Sequence, residues 1–227
     1  MGKETYTTQI IDLAEYLHQA VLDPHINKED LNAIFDASNY LNFSGLCTNL
    51  VRIPLARKSL GKSQKTKLIA VIGFPFGDIP HNFKHEQAEW AAEQGADELD
   101  VVPNFLELYK GNIDLLAEEL SKICEIGLPT RAIINAPRLN DVNLRLIVEA
   151  CIDAGVQGIQ TSNGFGPKIT PEKVKEIVPI VKGRCSIKAV GGIKNLLDAL
   201  DLIQAGCSVI GTSVGPELIK EFRKKNK

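Results

Sequence analysis

Short β-branched segments alternate with segments of helical periodicity along nearly the whole chain, and this alternation strongly limits the possible folds. Strands are predicted at residues 18–22, 45–49, 67–73, 97–102, 131–135, 158–162, 186–190 and 208–213. Strands that alternate with helices form parallel sheets joined by right-handed crossovers. Eight such units favour a closed (β/α)8 TIM barrel over an open doubly wound sheet.

The segments between the strands carry helix signals. Thr170 before Pro171 is typical of an N-cap followed by proline at the first helical position. Asn195 with Asp198 is typical of a cap with an acidic first turn. A further helix is predicted over residues 28–41. Apolar stripes with helical spacing comprise Leu146, Ile147, Ala150, Cys151 and Ala154; Val174, Ile177, Val178 and Val181; and Leu196, Leu197, Leu200 and Ile203.

The chain of 227 residues shows no shift in composition that would mark a domain boundary. We therefore expect residues 1–227 to form a single TIM-barrel domain, a size at which one core can be buried. Residues 1–16 are expected to be an N-terminal extension or helix. The basic segment "RKKNK" at residues 223–227 is expected to be a frayed tail.

Charge and cysteine usage exclude several classes of protein. A formal net charge of -2 gives no overall field that would favour nucleic acid or a membrane surface. No apolar run approaches the length of a bilayer span, and the first residues lack an apolar signal core, so a cytoplasmic protein is expected. The five cysteines form no CxxC pair and no cluster with histidine, which predicts reduced thiols and no metal site. We expect no cofactor.

Side-chain alternation predicts an unusual barrel interior. If Leu99, Val101 and the apolar residues of the later strands face the helices, the polar residues between them face inward. The side chains then expected to share one cavity are Asp100, Arg131, Asn135, Gln160 and Lys188. Because a barrel interior is normally filled by Val, Ile and Leu, so many polar groups indicate a functional site. Buried charges require partners, so Asp100 and Lys188 are predicted to form a charge-assisted contact.

Two glycine-containing loops near the C-terminus suit an anion. "VGGIKN" follows the seventh predicted strand, and "GTSVG" follows the eighth and opens the last helix. Glycines let the backbone approach a ligand closely, and the loops after strands seven and eight commonly hold phosphate in this architecture. Gly191, Gly192 and Gly211 are therefore predicted to bind phosphate. The alternative is that they only form tight turns between strand and helix.

The segments "IPLARKSL", "VIGFPFG", "GADELDVV", "QTSNGFG", "KAVGGIK" and "IGTSVG" occur in one order over roughly residues 17 to 219. In this order they resemble deoxyribose-phosphate aldolase, a family of class I aldolases. The resemblance implies a TIM barrel and a sugar-phosphate substrate. It also implies catalysis through a Schiff base, in which a lysine amine attacks the carbonyl and the resulting iminium accepts electrons.

The family's Schiff-base lysine lies in a "KTSTGF"-like motif, which reads "QTSNGF" here and places Gln160 at that position. An amide nitrogen has its lone pair delocalised and cannot form an iminium. Lys188 matches the family's second lysine, and Asp100 matches the aspartate of its proton relay. Cys47 corresponds to a cysteine near the substrate, and Ser213 joins the glycines as a phosphate-binding residue.

Other positions of the resemblance have changed. The family's "DHTLL"-like strand reads "HQAVL", so His18 replaces an aspartate. Its "KVIIET" reads "RAIINA", so Arg131 replaces a lysine and Asn135 a glutamate. With Asp100 facing Arg131 and Lys188, the pocket is predicted to be net positive and to take an anionic ligand.

Three functions follow as hypotheses. The first is a sugar-phosphate-binding protein without Schiff-base catalysis, with a sensor or regulatory role that would imply a protein partner. The second is an active aldolase that uses Lys188 as nucleophile. The third is a lyase or isomerase in which Asp100 and Lys188 act as acid and base without a covalent step. We place the first ahead, and a homodimer is possible for each.

Overall fold

A closed barrel of eight parallel strands forms the centre of the computed structural model, which describes residues 12–61 and 65–225. The strands pair in chain order, and the first closes the barrel against the last. They are β1 Leu17–Val21, β2 Gly45–Thr48, β3 Lys67–Ile72, β4 Glu98–Val101, β5 Thr130–Ile133, β6 Gly158–Gln160, β7 Ser186–Val190 and β8 Val209–Thr212. The predicted (β/α)8 TIM barrel is confirmed.

Helices follow each strand and surround the barrel. They are α1 Lys28–Tyr40, α2 Ile53–Leu60, α3 His81–Glu93, α4 Phe105–Lys110, α5 Ile113–Cys124, α6 Asp141–Asp153, α7 Pro171–Val181, α8 Leu196–Gln204 and α9 Gly215–Lys225. Short 3-10 helices span Leu13–Tyr16, Leu50–Arg52 and Ala136–Arg138. In the part of the chain that the structure describes, no helix combines the length and the apolar character that a membrane crossing needs.

The barrel separates two apolar regions because side chains on a strand alternate between its faces. The larger core lies between strands and helices and contains the outward residues Leu99, Val101 and Ala132. Inside the barrel, Cys47, Ile69 and Val71 form a small separate cluster on β2 and β3. The rest of the interior therefore has room for polar groups.

The predicted helix caps are present. The Thr170 side chain accepts from the amide of Lys173, and the Asn195 side chain accepts from the amide of Asp198. The apolar stripes are correct except for one member each, since Leu146, Val178 and Leu197 are 42%, 38% and 61% exposed. Each of these three residues lies at the edge of its stripe, where the helix turns away from the sheet.

Boundaries differ from the prediction at several ends. The segments predicted as strands 131–135 and 158–162 stop earlier, at Ile133 and Gln160. The basic segment predicted to be frayed is helical as far as Lys225, because the last turn of α9 continues through it; residues 226–227 lie outside the described part. In the predicted N-terminal extension, residues 13–16 form a 3-10 helix capped by the Asp12 side chain, whereas residues 1–11 are not described.

Candidate functional site

Asp100 lies at the centre of a buried polar cluster inside the barrel. Lys188 Nζ lies 2.5 Å from Asp100 Oδ2, and Arg131 Nε lies 2.7 Å from Asp100 Oδ1. The Asp100 side chain is fully buried, and Cys47 Sγ donates to Oδ2 over 3.7 Å. The predicted contact between Asp100 and Lys188 is therefore present, on strands β4 and β7.

Glu98 belongs to the same cluster and was missed in the sequence. Its Oε2 lies 2.6 Å from the second guanidinium nitrogen of Arg131. Glu98 stands two residues before Asp100, so the alternation that turned Asp100 inward turns Glu98 inward too. The prediction of a net-positive cluster is wrong, because two carboxylates balance Arg131 and Lys188.

Burial and charge set the ionisation states of the cluster. Burial alone would raise the pKa of Asp100, but Arg131 and Lys188 together hold it well below its usual range. Burial, assisted by the charges of Lys188 and Arg131, lowers the pKa of His18 well below its usual value. Burial raises the pKa of Cys47 to about 12. At neutral pH Asp100 is thus ionised, His18 is neutral and Cys47 is a thiol.

Three glycines inside the barrel make room for the cluster. A Cβ on Gly158 would lie 2.5 Å from Arg131 Cγ, and one on Gly45 would lie 2.8 Å from His18 Cδ2. A Cβ on Gly211 would lie 3.0 Å from Lys188 Cε and 2.6 Å from a Val190 methyl carbon. Gly211, predicted as part of a phosphate loop, therefore lies within β8, where it also makes space for Lys188.

Gln160 lies beside Lys188 in the pairing of β6 with β7. Its Nε2 donates to the carbonyl of Ser162 over 2.8 Å, which sets the orientation of the amide. Its Oε1 is buried and has no hydrogen-bond partner among the described residues, and the same is true of His18 Nδ1. Gln160 is therefore held as a neutral side chain with an unused acceptor.

An open cavity of about 640 Å³ lies at the carboxyl ends of the strands. The predicted phosphate-binding residues Gly191, Gly192, Gly211 and Ser213 line it, together with Lys194. Gly191 and Gly192 have φ angles of 123° and 71°, which favour glycine. The cavity thus has glycine backbone without side chains and a lysine on one side, features that favour an anion.

The first amides of α9 are partly occupied. The amide of Val214 donates to Thr212 Oγ1, and that of Gly215 donates to Gln19 Oε1. The Gln19 side chain also donates to the carbonyl of Ser213 over 2.9 Å. Gln19 therefore fixes the loop after β8, and the glycines after β7 offer the better approach to an anion.

The predicted single cavity is divided in two. Ala20 and Val190 line the open cavity, whereas His18 and Lys188, two residues earlier on the same strand faces, do not. The buried polar cluster therefore lies below the floor of the open cavity. The charged residues of the buried cluster were predicted to line one shared cavity. This prediction is wrong for the layer that contains His18 and Lys188, because the aliphatic side chains of Ala20 and Val190 lie above it.

Asn135 does not join the cluster, and its predicted inward placement is wrong. The strand ends at Ile133, and Asn135 adopts a left-handed conformation with a φ of 50°. Its Oδ1 accepts from the amide of Asn163 over 2.9 Å, and it lines a smaller pocket beside Arg138. Asn135 therefore holds the loop after β6.

Aromatic residues at the barrel mouth also escaped the sequence prediction. Phe165 contacts Phe74 and Phe76 edge to face, with ring centroids 6.0 and 6.1 Å apart. Asn163 Nδ2 donates to the carbonyl of Pro75 over 2.7 Å and joins the two loops. The repeated Phe–Gly pairs in "FPFG" and "NGFG" were the available signal.

Curated relatives that share about a third of the sequence carry one family name. No family model matches the chain. It is 36% identical over 221 residues to a deoxyribose-phosphate aldolase of Aquifex aeolicus, covering 96% of this chain and 99% of that protein. It is 37% identical over 216 residues to one of Microcystis aeruginosa, covering 95% and 96% of the two chains.

Solved structures agree with these relatives. The aldolase QR15 superposes with a TM-score of 0.91 at 35% identity, covering 96% of this chain and 98% of that one. A tetrameric deoxyribose phosphate aldolase from Aeropyrum pernix gives a TM-score of 0.84 at 29% identity, covering 94% and 92%. Fold, motif order and sequence identity over nearly the full length lead to one conclusion: the chain belongs to the deoxyribose-phosphate aldolase family.

Proposed function

We propose that this chain binds a sugar phosphate at the mouth of the barrel, and that Schiff-base aldolase activity is lost or much reduced. The observation that carries the proposal is Gln160, a neutral amide anchored to the Ser162 carbonyl where the family resemblance places the reactive lysine. A protein of this kind has a binding or regulatory role. A regulatory role would act through a protein partner.

The cluster around Asp100 supports the loss of catalysis. A proton relay needs a carboxyl group that exchanges protons near neutral pH. Burial opposes ionisation of Asp100, but Arg131 and Lys188 hold its pKa well below its usual range, so it stays ionised. Lys188 in turn donates to this carboxylate at 2.5 Å, so its amine is held in an ion pair inside the barrel.

The open cavity supports phosphate binding. Gly191 and Gly192 bring main chain without side chains to its wall, and Lys194 adds a positive charge. Lys168 also lines the cavity, where it pairs with Asp198 over 2.7 Å. A phosphate in this cavity would lie near the carboxyl ends of β7 and β8.

An active aldolase that uses Lys188 as nucleophile is the second candidate. The observation in its favour is that Lys188 is an amine inside the barrel, in direct contact with a carboxylate. The ammonium would have to give up a proton before its lone pair attacks the aldehyde carbon, and water would then leave as the iminium forms. The Asp100 ion pair and the aliphatic floor oppose this step.

Phosphate binding is tested by calorimetry with deoxyribose 5-phosphate and ribose 5-phosphate. We expect binding by the native chain and a loss of affinity in Gly192→Ala, since a Cβ there would lie 3.0 Å from Lys168 Cγ. Gly183→Ala is the matched control, because Gly183 has a φ of 72° against 71° for Gly192 and no atom within 4 Å of an added Cβ. Absence of heat with both ligands at millimolar concentration contradicts the proposal.

Catalysis is tested by borohydride reduction in the presence of acetaldehyde, followed by mass spectrometry. We expect no covalent adduct on the native chain. An adduct that maps to Lys188 and disappears in Lys188→Met would establish the second candidate and refute the first.

A further inference from the structure

The open cavity has two chemically different sides that face each other across the barrel mouth. The glycine loop with Gly191 and Gly192 follows β7, and an apolar wall of Leu22, Ile26 and Phe74 lies at the ends of β1 and β3. In a ring of eight strands paired in chain order, β3 lies opposite β7. Leu22 and Phe74 also pack against the small apolar cluster on β2 and β3, so the wall continues the apolar interior upward. A ligand that fills this cavity meets anion-binding backbone on one side and an apolar surface on the other.

The floor between the two sides offers little to the hydroxyl groups of a sugar. It contains Ala20 and Val190, whose side chains cannot form hydrogen bonds. The side chains of Asp23, Asn163 and Thr212 also line the cavity, and each is already hydrogen-bonded to a main-chain group. A polar group that leaves water without gaining a partner costs free energy, whereas burial of apolar surface is favourable. The cavity therefore suits a phosphate ester whose far end is apolar.

Phe165 supplies a fixed aromatic ring at the far end. It is 57% exposed, and it lines both the open cavity and the smaller pocket beside Arg138. The rings of Phe74 and Phe76 contact it edge to face, with centroids 6.0 and 6.1 Å away. Its amide donates to Asn163 Oδ1 over 2.9 Å, and its carbonyl accepts from Arg138 Nη2 over 3.0 Å. An exposed ring that is held in place at a cavity wall is suited to stacking against a planar aromatic group.

We propose that the open cavity binds a nucleoside 5′-phosphate, with its phosphate at Gly191, Gly192 and Lys194 and its base against Phe165 and Phe74. This inference rests on the proposed function and names the ligand class, since a nucleoside 5′-phosphate is a sugar phosphate that carries a base. The cavity volume of about 640 Å³ lies within the roughly 300–1,000 Å³ of sites that enclose drug-sized ligands. A nucleotide is closer to that size than a pentose phosphate is, and it meets both sides of the cavity at once.

The test is calorimetry with 2′-deoxyadenosine 5′-phosphate and deoxyribose 5-phosphate, which share the sugar and the phosphate and differ by the base. We expect the native chain to bind the nucleotide about fivefold to a hundredfold more tightly, the range that stacking of one base on an aromatic side chain supplies. Phe165→Leu keeps an apolar side chain but removes the ring, so it should reduce this ratio about fivefold or more. Phe83→Leu is the matched control and should leave the ratio unchanged, because Phe83 is 51% exposed but lies on α3 and lines a different pocket.

Two further measurements on folded protein place the nucleotide in this cavity. Deoxyribose 5-phosphate should displace the nucleotide from the native chain, because both phosphates occupy the glycine loop. Gly192→Ala should weaken both ligands, since its added Cβ would lie 3.0 Å from Lys168 Cγ in the same wall.

The outcomes separate the two proposals. Equal affinity of the native chain for the two ligands overturns the inference and leaves the phosphate site standing. A preference for the nucleotide that survives unchanged in Phe165→Leu also overturns it. If that variant does not fold, the displacement measurement decides, because a nucleotide that deoxyribose 5-phosphate cannot displace lies outside this cavity. Failure of the nucleotide, deoxyribose 5-phosphate and ribose 5-phosphate to bind refutes the proposed function and the inference together.

Discussion

Removing the charge of Asp100 should destabilise the protein strongly. In Asp100→Asn, Arg131 keeps its ion pair with Glu98 at 2.6 Å, but Lys188 loses the carboxylate that lies 2.5 Å from its Nζ. Lys188 is 2% exposed, so the change leaves one buried cation without a counter-charge. Losing one partner of a buried ion pair costs about 3–5 kcal/mol. We expect the lower half of this range, because the asparagine oxygen can still accept one hydrogen bond.

Urea unfolding at pH 7 measures this loss. The double variant Asp100→Asn with Lys188→Met removes both charges and should recover most of the lost free energy of unfolding, as a double-mutant cycle would show. Since the folded pKa of Asp100 is depressed, its contribution is complete above the unfolded pKa of about 3.9 and is lost as the pH falls toward the folded pKa. The difference in free energy of unfolding between the native chain and Asp100→Asn should therefore stay constant from pH 5 to pH 8 and shrink below about pH 4.

A small loss in Asp100→Asn, below about 1 kcal/mol, would show that the buried pair is solvated and that the reasoning fails. A double variant no more stable than the single one would show that Lys188 is not the group left without a partner. Glu118→Gln on the surface of α5 is the control, since its pair with Lys122 is exposed.

Further changes test other contacts. Gly158→Ala places a Cβ 2.5 Å from Arg131 Cγ and should lower the free energy of unfolding by about 1–3 kcal/mol in a urea titration. Because burial lowers the pKa of His18, the unfolded chain binds a proton below pH 6.5 that the folded chain does not. The free energy of unfolding therefore falls by up to about 1.4 kcal/mol for each pH unit below 6.5. His18→Leu should therefore lose less stability between pH 7 and pH 5.5 than the native chain; equal losses would mean that folded His18 is protonated. Lys84→Met leaves Glu119, which is 7% exposed, without its partner at 2.8 Å and should lower the free energy of unfolding by about 3–5 kcal/mol. Adding Glu119→Leu should recover stability, and no recovery would contradict the pairing.

The barrel could be predicted from local pattern alone. Strand and helix periods are properties of a few consecutive residues, and eight alternations leave few topologies. The same local rule placed Asp100, Arg131, Gln160 and Lys188 inside the barrel. Gln160 was visible as a neutral residue within "QTSNGF" because a motif is contiguous in the chain.

Other features depended on the three-dimensional arrangement. Asn135 lies off the predicted face because its strand stops at Ile133 and its own backbone is left-handed. Its side chain accepts a hydrogen bond from the amide of Asn163, on another loop. Glu98 faces inward by the same alternation as Asp100, but its ion pair depends on Arg131, which lies on the next strand.

The sequence by itself determined the order of strands and helices, the inward polar residues and the neutral amide at position 160. Only the tertiary structure decided how those residues pair, where the open cavity ends, and that Gln160 and His18 keep unused polar atoms. The physical reason is the separation along the chain over which each effect acts. Periodicity acts between neighbours in the chain, whereas charge balance, burial and hydrogen-bond partners depend on strands that meet only when the barrel closes.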